Sequence, residues 1–141
     1  MDNRVIAAYQ QLGFKIVVDP SVNYSGYFDA RSRSITMKQI DDSVYHELGH
    51  FLAFIAGNAD KTASFQSIFA AEKANVTAFN KAYVTQNASE YFAESVKDYI
   101  LNNASLKSSR PQTYAAVQNA LNQITDAQIA KIQKIYGAFW N

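Results

Sequence analysis

The two histidines of this 141-residue chain are its only ones, and they stand four apart in "VYHELGHFLAFIAG" (Val44 to Gly57), with a glutamate directly after the first. On a helix, positions i and i+4 point the same way, so His46 and His50 can bring two imidazole nitrogens to one cation at about 2.0–2.1 Å. Glu47, one step round the axis, is placed to touch a water on that cation rather than the cation itself. This is the HExxH arrangement of zinc hydrolases. Neutral imidazoles hold Zn2+ without cancelling its charge, which brings the pKa of a bound water toward about 7. Glu47 can then take the proton as the water attacks and return it to a leaving amine. Two plainer readings compete: incidental polar residues on a buried helix, or a closed structural zinc site. The motif sits on a capped, apolar helix after a strand, which argues against chance. Structural sites normally fill all four positions, mostly with cysteine, and the chain has none.

With no cysteine and no third histidine, the remaining protein ligand has to be a carboxylate. Asp60 and Glu72 fall in or beside a surface-looking helix, and Asp126 reads as a helix cap. "NASEYFAESVKDY" offers Glu90 and Glu94 one turn apart, with Tyr91 and Phe92 directed to another face. Glu90 would complete a His2Glu set, and Glu94 would accept the outer ring N–H of a ligating histidine and fix its tautomer. The same stretch has a second use, because Asn87 with Glu90 three residues on is also a capping box, in which Glu90 reaches back to the helix start. Spacing leaves both uses open.

The elements that must position these side chains follow from periodicity. "RVIAAYQQLGF" places Val5, Ile6, Tyr9 and Leu12 at helical spacing and stops at Gly13. "FKIVVD" is β-branched and ends at Pro20, and "SGYFDARSRSITMK" has two extended stretches around a polar turn near Ala30 to Arg33. A small sheet of about three strands, mostly antiparallel, is expected. The central helix carries Val44, Leu48, Phe51, Leu52 and Ile55 as its apolar stripe, with Asp41 or Asp42 as N-cap and Gly57 as stop. Beyond Lys61 the segments are helical, with "NVTAFNKAYVTQ" and "NNASLKSS" as connections, Pro111 opening a helix, and a last helix capped at Thr125 or Asp126 and ended by Gly137. The layout is α+β, a small sheet followed by a helical body, in one domain over residues 1–141.

Composition removes several classes of function. Thirteen basic against twelve acidic residues, with no Lys/Arg run, offer no footprint for nucleic acid. No apolar run approaches the roughly twenty residues that cross a bilayer, so no membrane partner is expected. The N-terminus has no basic segment followed by an apolar stretch and does not read as a signal peptide.

From "YHELGHFLAF" through "SFQSIFAAE" and "NKAYVTQNASEYFAESV" to "PQTYAAVQNAL", the chain resembles the catalytic domain of the anthrax lethal factor family, whose relatives include the secreted Pro-Pro endopeptidases of Gram-positive bacteria. The likeness is weak in the N-terminal sheet. It implies a zincin-like fold of gluzincin type, a Zn2+ cofactor, secretion, and a peptide or protein substrate, with a narrow, for example proline-rich, preference. It also implies that Glu90, the first Glu of "EYFAE", is the third metal ligand, that Glu94 matches its second Glu, and that Tyr83, seven residues before the ligand, stabilises the oxyanion. A phenol suits that task because it is a neutral donor that does not compete for the metal. Peptidases with this helix commonly take substrate as a strand added to a sheet edge, which makes "GYFD" or "SITMK" the candidate edge. "NYSGYFDARSRS" is then either a cleft wall or a solvated hairpin. The competing function is a catalytically silent binding module that keeps the metal site. Such copies usually lose a ligand or the base, whereas His46, Glu47, His50, Tyr83 and Glu90 are all present.

Overall fold

The computed structural model describes residues 1–140. Helix α1 (Asn3–Gln11) is capped by Asp2, whose side chain accepts from the Arg4 backbone N–H at 2.8 Å, and the chain turns out of it at Gly13, where φ is +78°. Val5, Ala8, Tyr9 and Leu12 are buried, while Ile6 lies on the solvent side.

Three short strands follow: β1 (Lys15–Val18), β2 (Gly26–Asp29) and β3 (Ser34–Met37), in the spatial order β1-β3-β2. β2 and β3 form the expected antiparallel hairpin, with Phe28 opposite Ile35. β1 pairs with the far side of β3 in parallel, Ile16 opposite Ile35, so the sheet is mixed rather than mostly antiparallel. The segment between β1 and β2 carries the chain across the sheet, and β1 thereby takes the same direction as β3. All four β1 residues are exposed, and the sheet meets the core through Ile35 and Met37 of β3.

Helix α2 (Ser43–Ile55) buries Leu48, Phe51, Leu52 and Ile55 as its spacing demands. Asp41 Oδ1 accepts from the Ser43 N–H at 3.0 Å, and Gly57 ends the segment at φ +78°. A 3₁₀ turn (Ala59–Lys61) leads into α3 (Ala63–Glu72), capped by Thr62. The following connection contains a 3₁₀ turn (Lys73–Asn75) and one helical turn, α4 (Lys81–Val84). Helix α5 (Ala88–Leu101) then packs along α2.

Three expectations for the helical body need correction. "NNASLKSS" is not a plain connection, because Asn103–Ser109 form helix α6, held by buried Leu106. Helices α7 (Pro111–Asn122) and α8 (Asp126–Trp140) come next, and α8 does not end at Gly137. Its continuation docks Trp140, whose Nε1–H donates to the Ala30 carbonyl at 3.0 Å and whose ring meets Phe14 edge-on at 5.7 Å. Glu72, expected near the surface, is buried, and it accepts from the Thr113 N–H at 2.8 Å and the Gln112 N–H at 3.1 Å. A carboxylate from α3 therefore caps the N-terminus of α7. Among the described residues no helix is long and apolar enough to cross a membrane.

Candidate metal centre

Helices α2 and α5 approach closely because Gly49 has no side chain. A Cβ there would stand 2.6 Å from the Ala93 carbonyl oxygen and 2.7 Å from its Cα, closer than real Cβ contacts come. This contact sets the first turn of α5 against the histidine face of α2. Asn87 caps α5 by accepting the Glu90 backbone N–H at 2.8 Å, and the Glu90 carboxylate crosses to the other helix. Its Oε1 lies 2.6 Å from His50 Nε2 and 3.2 Å from His46 Nε2. One donor atom from each of His46, His50 and Glu90 falls within 4.8 Å of the others. Ligands at about 2.0–2.1 Å from one tetrahedral ion stand roughly 3.3 Å apart, so this donor set fits a divalent cation with small adjustments.

The surrounding charges favour a cation at the same point. Glu94 Oε1 lies 2.8 Å from His46 Nδ1, the outer ring nitrogen, which leaves Nε2 facing the centre. Burial works against a charged His46 ring, yet the Glu90 and Glu94 carboxylates outweigh it and raise its pKa to about 9. Burial likewise pushes Glu90 up, but bonds to the two imidazoles hold it well below the usual carboxylate range. Glu94 is also lowered: burial opposes this, and its bond to His46 overcomes it. Glu47 goes the other way. It is buried beside the histidines, and desolvation raises its carboxyl even though His46 and His50 pull it down. The carboxylate of Glu47 on α2 is thus tuned apart from those of Glu90 and Glu94 on α5 by their surroundings.

Tyr83 reaches the same place from α4. Its ring centroid is 6.4 Å from that of His46, and it stands more than half exposed in the open cleft. Burial and the neighbouring Glu90 carboxylate, through hydrogen bonding and charge, push its pKa up to about 12. The hydroxyl therefore stays a neutral donor through the whole neutral range.

Residues 15–120 match the family described as anthrax toxin lethal factor, N- and C-terminal domain. The chain belongs to this lethal factor family. It is also similar to the Pro-Pro endopeptidase of Clostridioides difficile (strain 630), with 41% identity over 78 residues, covering 52% of this chain and 34% of that protein. The chain thus spans about a third of the length of that relative.

In this lethal-factor-family chain the sheet edge beside the metal-capable cluster is β2. "SITM" is the central strand, paired on both sides, whereas "GYFD" has one side free and faces the cleft. The cleft holds about 370 Å³ on the Ser25–Gly26 side of Glu47, between Tyr24 and Tyr83. "NYSGYFDARSRS" is accordingly a cleft wall over its first half. Sequence reasoning missed Gly26, where a Cβ would come within 2.9 Å of Glu47 Cγ and of Met37 Sδ. It also missed Phe28, whose ring lies near-parallel to that of His50 at 6.5 Å. No local signal marks either residue, since both act across the gap between strand and helix. Asp60 and Asp126, set aside as ligands from sequence, are not in the cluster.

Proposed function

We propose that this chain is a zinc-dependent endopeptidase domain, with His46, His50 and Glu90 as metal ligands, Glu47 as general base and acid, and Tyr83 as oxyanion donor. One observation carries it: two imidazoles and a carboxylate converge at the floor of a cleft that is bordered by a free strand edge. A zinc ion held there supplies a Lewis acid that makes a bound water acidic and polarises a carbonyl. The rest of the work belongs to the chain. The β2 edge aligns an extended peptide by main-chain hydrogen bonds. Glu47, its affinity for protons raised by burial, accepts one from the attacking water and delivers it to the leaving amine. Tyr83 donates from the open side of the cleft to the oxygen on which negative charge develops. Glu94 orients His46 and keeps its inner nitrogen available. The name of the C. difficile relative suggests a proline-containing cleavage sequence, and the resemblance to secreted endopeptidases supports a role outside the cell.

The decisive experiment is digestion of a peptide library read by mass spectrometry, with and without a zinc chelator, alongside metal analysis of the purified protein. About one zinc per chain and chelator-sensitive cleavage are expected. Glu47→Gln should retain the metal and lose cleavage, whereas Glu90→Ala should lose both. Unchanged zinc affinity in Glu90→Ala would remove Glu90 from the ligand set. One zinc per chain with no cleavage of any peptide would instead support the silent binding module.

A further inference from the structure

The cleft continues past the His46 end of α2. Lys97 lies seven residues beyond Glu90 on α5, about 10 Å along the helix axis, and forms part of the same wall as Ser43 and Asn80. A second polar groove of about 450 Å³ adjoins it through Asn80, Glu94 and Lys97, and runs on to Asp98 and Arg110. The other basic groups along this double groove are each held by an acidic partner. Glu94 is bonded to His46, and Arg110 is ion-paired with Asp98 at 2.5 Å and bonded to Ser95 Oγ at 3.2 Å. Asp41, the other carboxylate that feels the Lys97 charge, is occupied by Ser43 and by Gln39 Nε2. Lys97 makes no ion pair and no side-chain hydrogen bond among the described residues. Lys97, a partly buried residue of the cleft that also holds Gly26, is thus the basic side chain of the two grooves left without a bonded partner among the described residues.

We propose that Lys97 binds a carboxylate of the peptide substrate, about three residues from the bond that is cut, a specificity that rests on the peptidase reading above. The spacing is that of a peptide laid along α5, for which about 10 Å corresponds to about three residues of an extended strand at roughly 3.3 Å each. An Asp or Glu side chain and the peptide's own C-terminal carboxylate present the same chemistry. Lysine acts here as a point charge on a flexible stem, so it selects charge without demanding bidentate geometry.

The test uses matched peptides with Glu, Gln or Lys at each of four positions on either side of the cleaved bond, as free acids and as C-terminal amides. Both kcat/KM and binding, by fluorescence anisotropy on Glu47→Gln protein, are read at low and high salt. Glu peptides should be favoured over Gln peptides by about tenfold at one end of the substrate, through KM and Kd, with the preference shrinking as salt rises. Lys97→Met should erase that preference while cleaving Gln peptides like the native chain, and Lys97→Glu should turn it toward Lys peptides. A preference that disappears on amidation assigns the C-terminal carboxylate; one that survives assigns the side chain. Equal handling of Glu and Gln peptides, or a preference that persists in Lys97→Met, overturns the proposal and leaves the peptidase reading standing. Charge-selective binding that Lys97→Met abolishes, with no cleavage by the native chain, keeps the carboxylate contact but overturns the peptidase reading and the position relative to a cut bond, and peptides that are neither bound nor cleaved overturn both.

Discussion

Burial and the neighbouring Glu90 carboxylate push the Tyr83 phenol up to about 12, so it keeps its proton through the neutral range and is available as a donor. Its neighbour Glu90 is held ionised by two imidazoles, and Glu47, at a different depth in the same cluster, is pushed toward the protonated form by burial. Identical carboxylates thus receive opposite proton affinities from solvation and partners alone. For Tyr83→Phe, the ring and its packing remain and one hydrogen-bond donor is lost. The expected outcome is a fall in kcat of about two orders of magnitude, the usual cost of one oxyanion donor, with KM and zinc content little changed. Steady-state kinetics on a cleaved peptide measure it, and an unchanged kcat would make Tyr83 a packing residue.

At the scale of elements, the centre depends on how closely α5 lies on α2. Glycine within a helix costs about 1 kcal/mol relative to alanine, so helix propensity favours Ala at position 49. The tertiary contact opposes it, because the Cβ would strike the Ala93 backbone, which cannot rotate away as a side chain would. Overpacking of this kind costs about 1–3 kcal/mol, enough to outweigh the propensity gain. Gly49→Ala should therefore lower stability in urea denaturation. It should also weaken zinc binding in a competition titration, since separating the helices draws Glu90 away from the two imidazoles. Full zinc affinity in Gly49→Ala would show that the ligand geometry does not depend on this contact. Gly26 has the corresponding role between β2 and Glu47, where it lets the sheet edge lie directly against that side chain.

At the scale of the whole molecule, the proposed ligands join two helices forty residues apart in the chain. An ion bound to this folded arrangement and not to the unfolded chain stabilises the fold by mass action, about 2.7 kcal/mol at a free zinc concentration one hundred times Kd. For a chain of this length that corresponds to a rise in Tm of about 10 °C. Thermal melts with zinc and with chelator should differ by this amount in the native chain and coincide in Glu90→Ala. Coincident melts in the native chain would separate the cluster from any bound ion.

The HExxH spacing by itself determined that His46 and His50 share a face and that Glu47 lies beside them, because i and i+4 register is a property of the helix alone. Periodicity likewise determined α1, α2, α5 and α7, whose apolar stripes are local patterns. The choice between ligand and cap for Glu90 was not local. Both uses put a glutamate at the third position of α5, and only the packing of Gly49 on Ala93 turns the carboxylate across to the histidines while Asn87 makes the cap. Long-range contacts also decided the rest: the parallel pairing of β1 that leaves β2 as the free edge, the passage of α8 through Gly137 to seat Trp140, and the placing of Lys97 in the cleft. Sequence spacing specifies which side chains share one element's face, whereas which faces meet depends on the close approach of backbones remote in the chain.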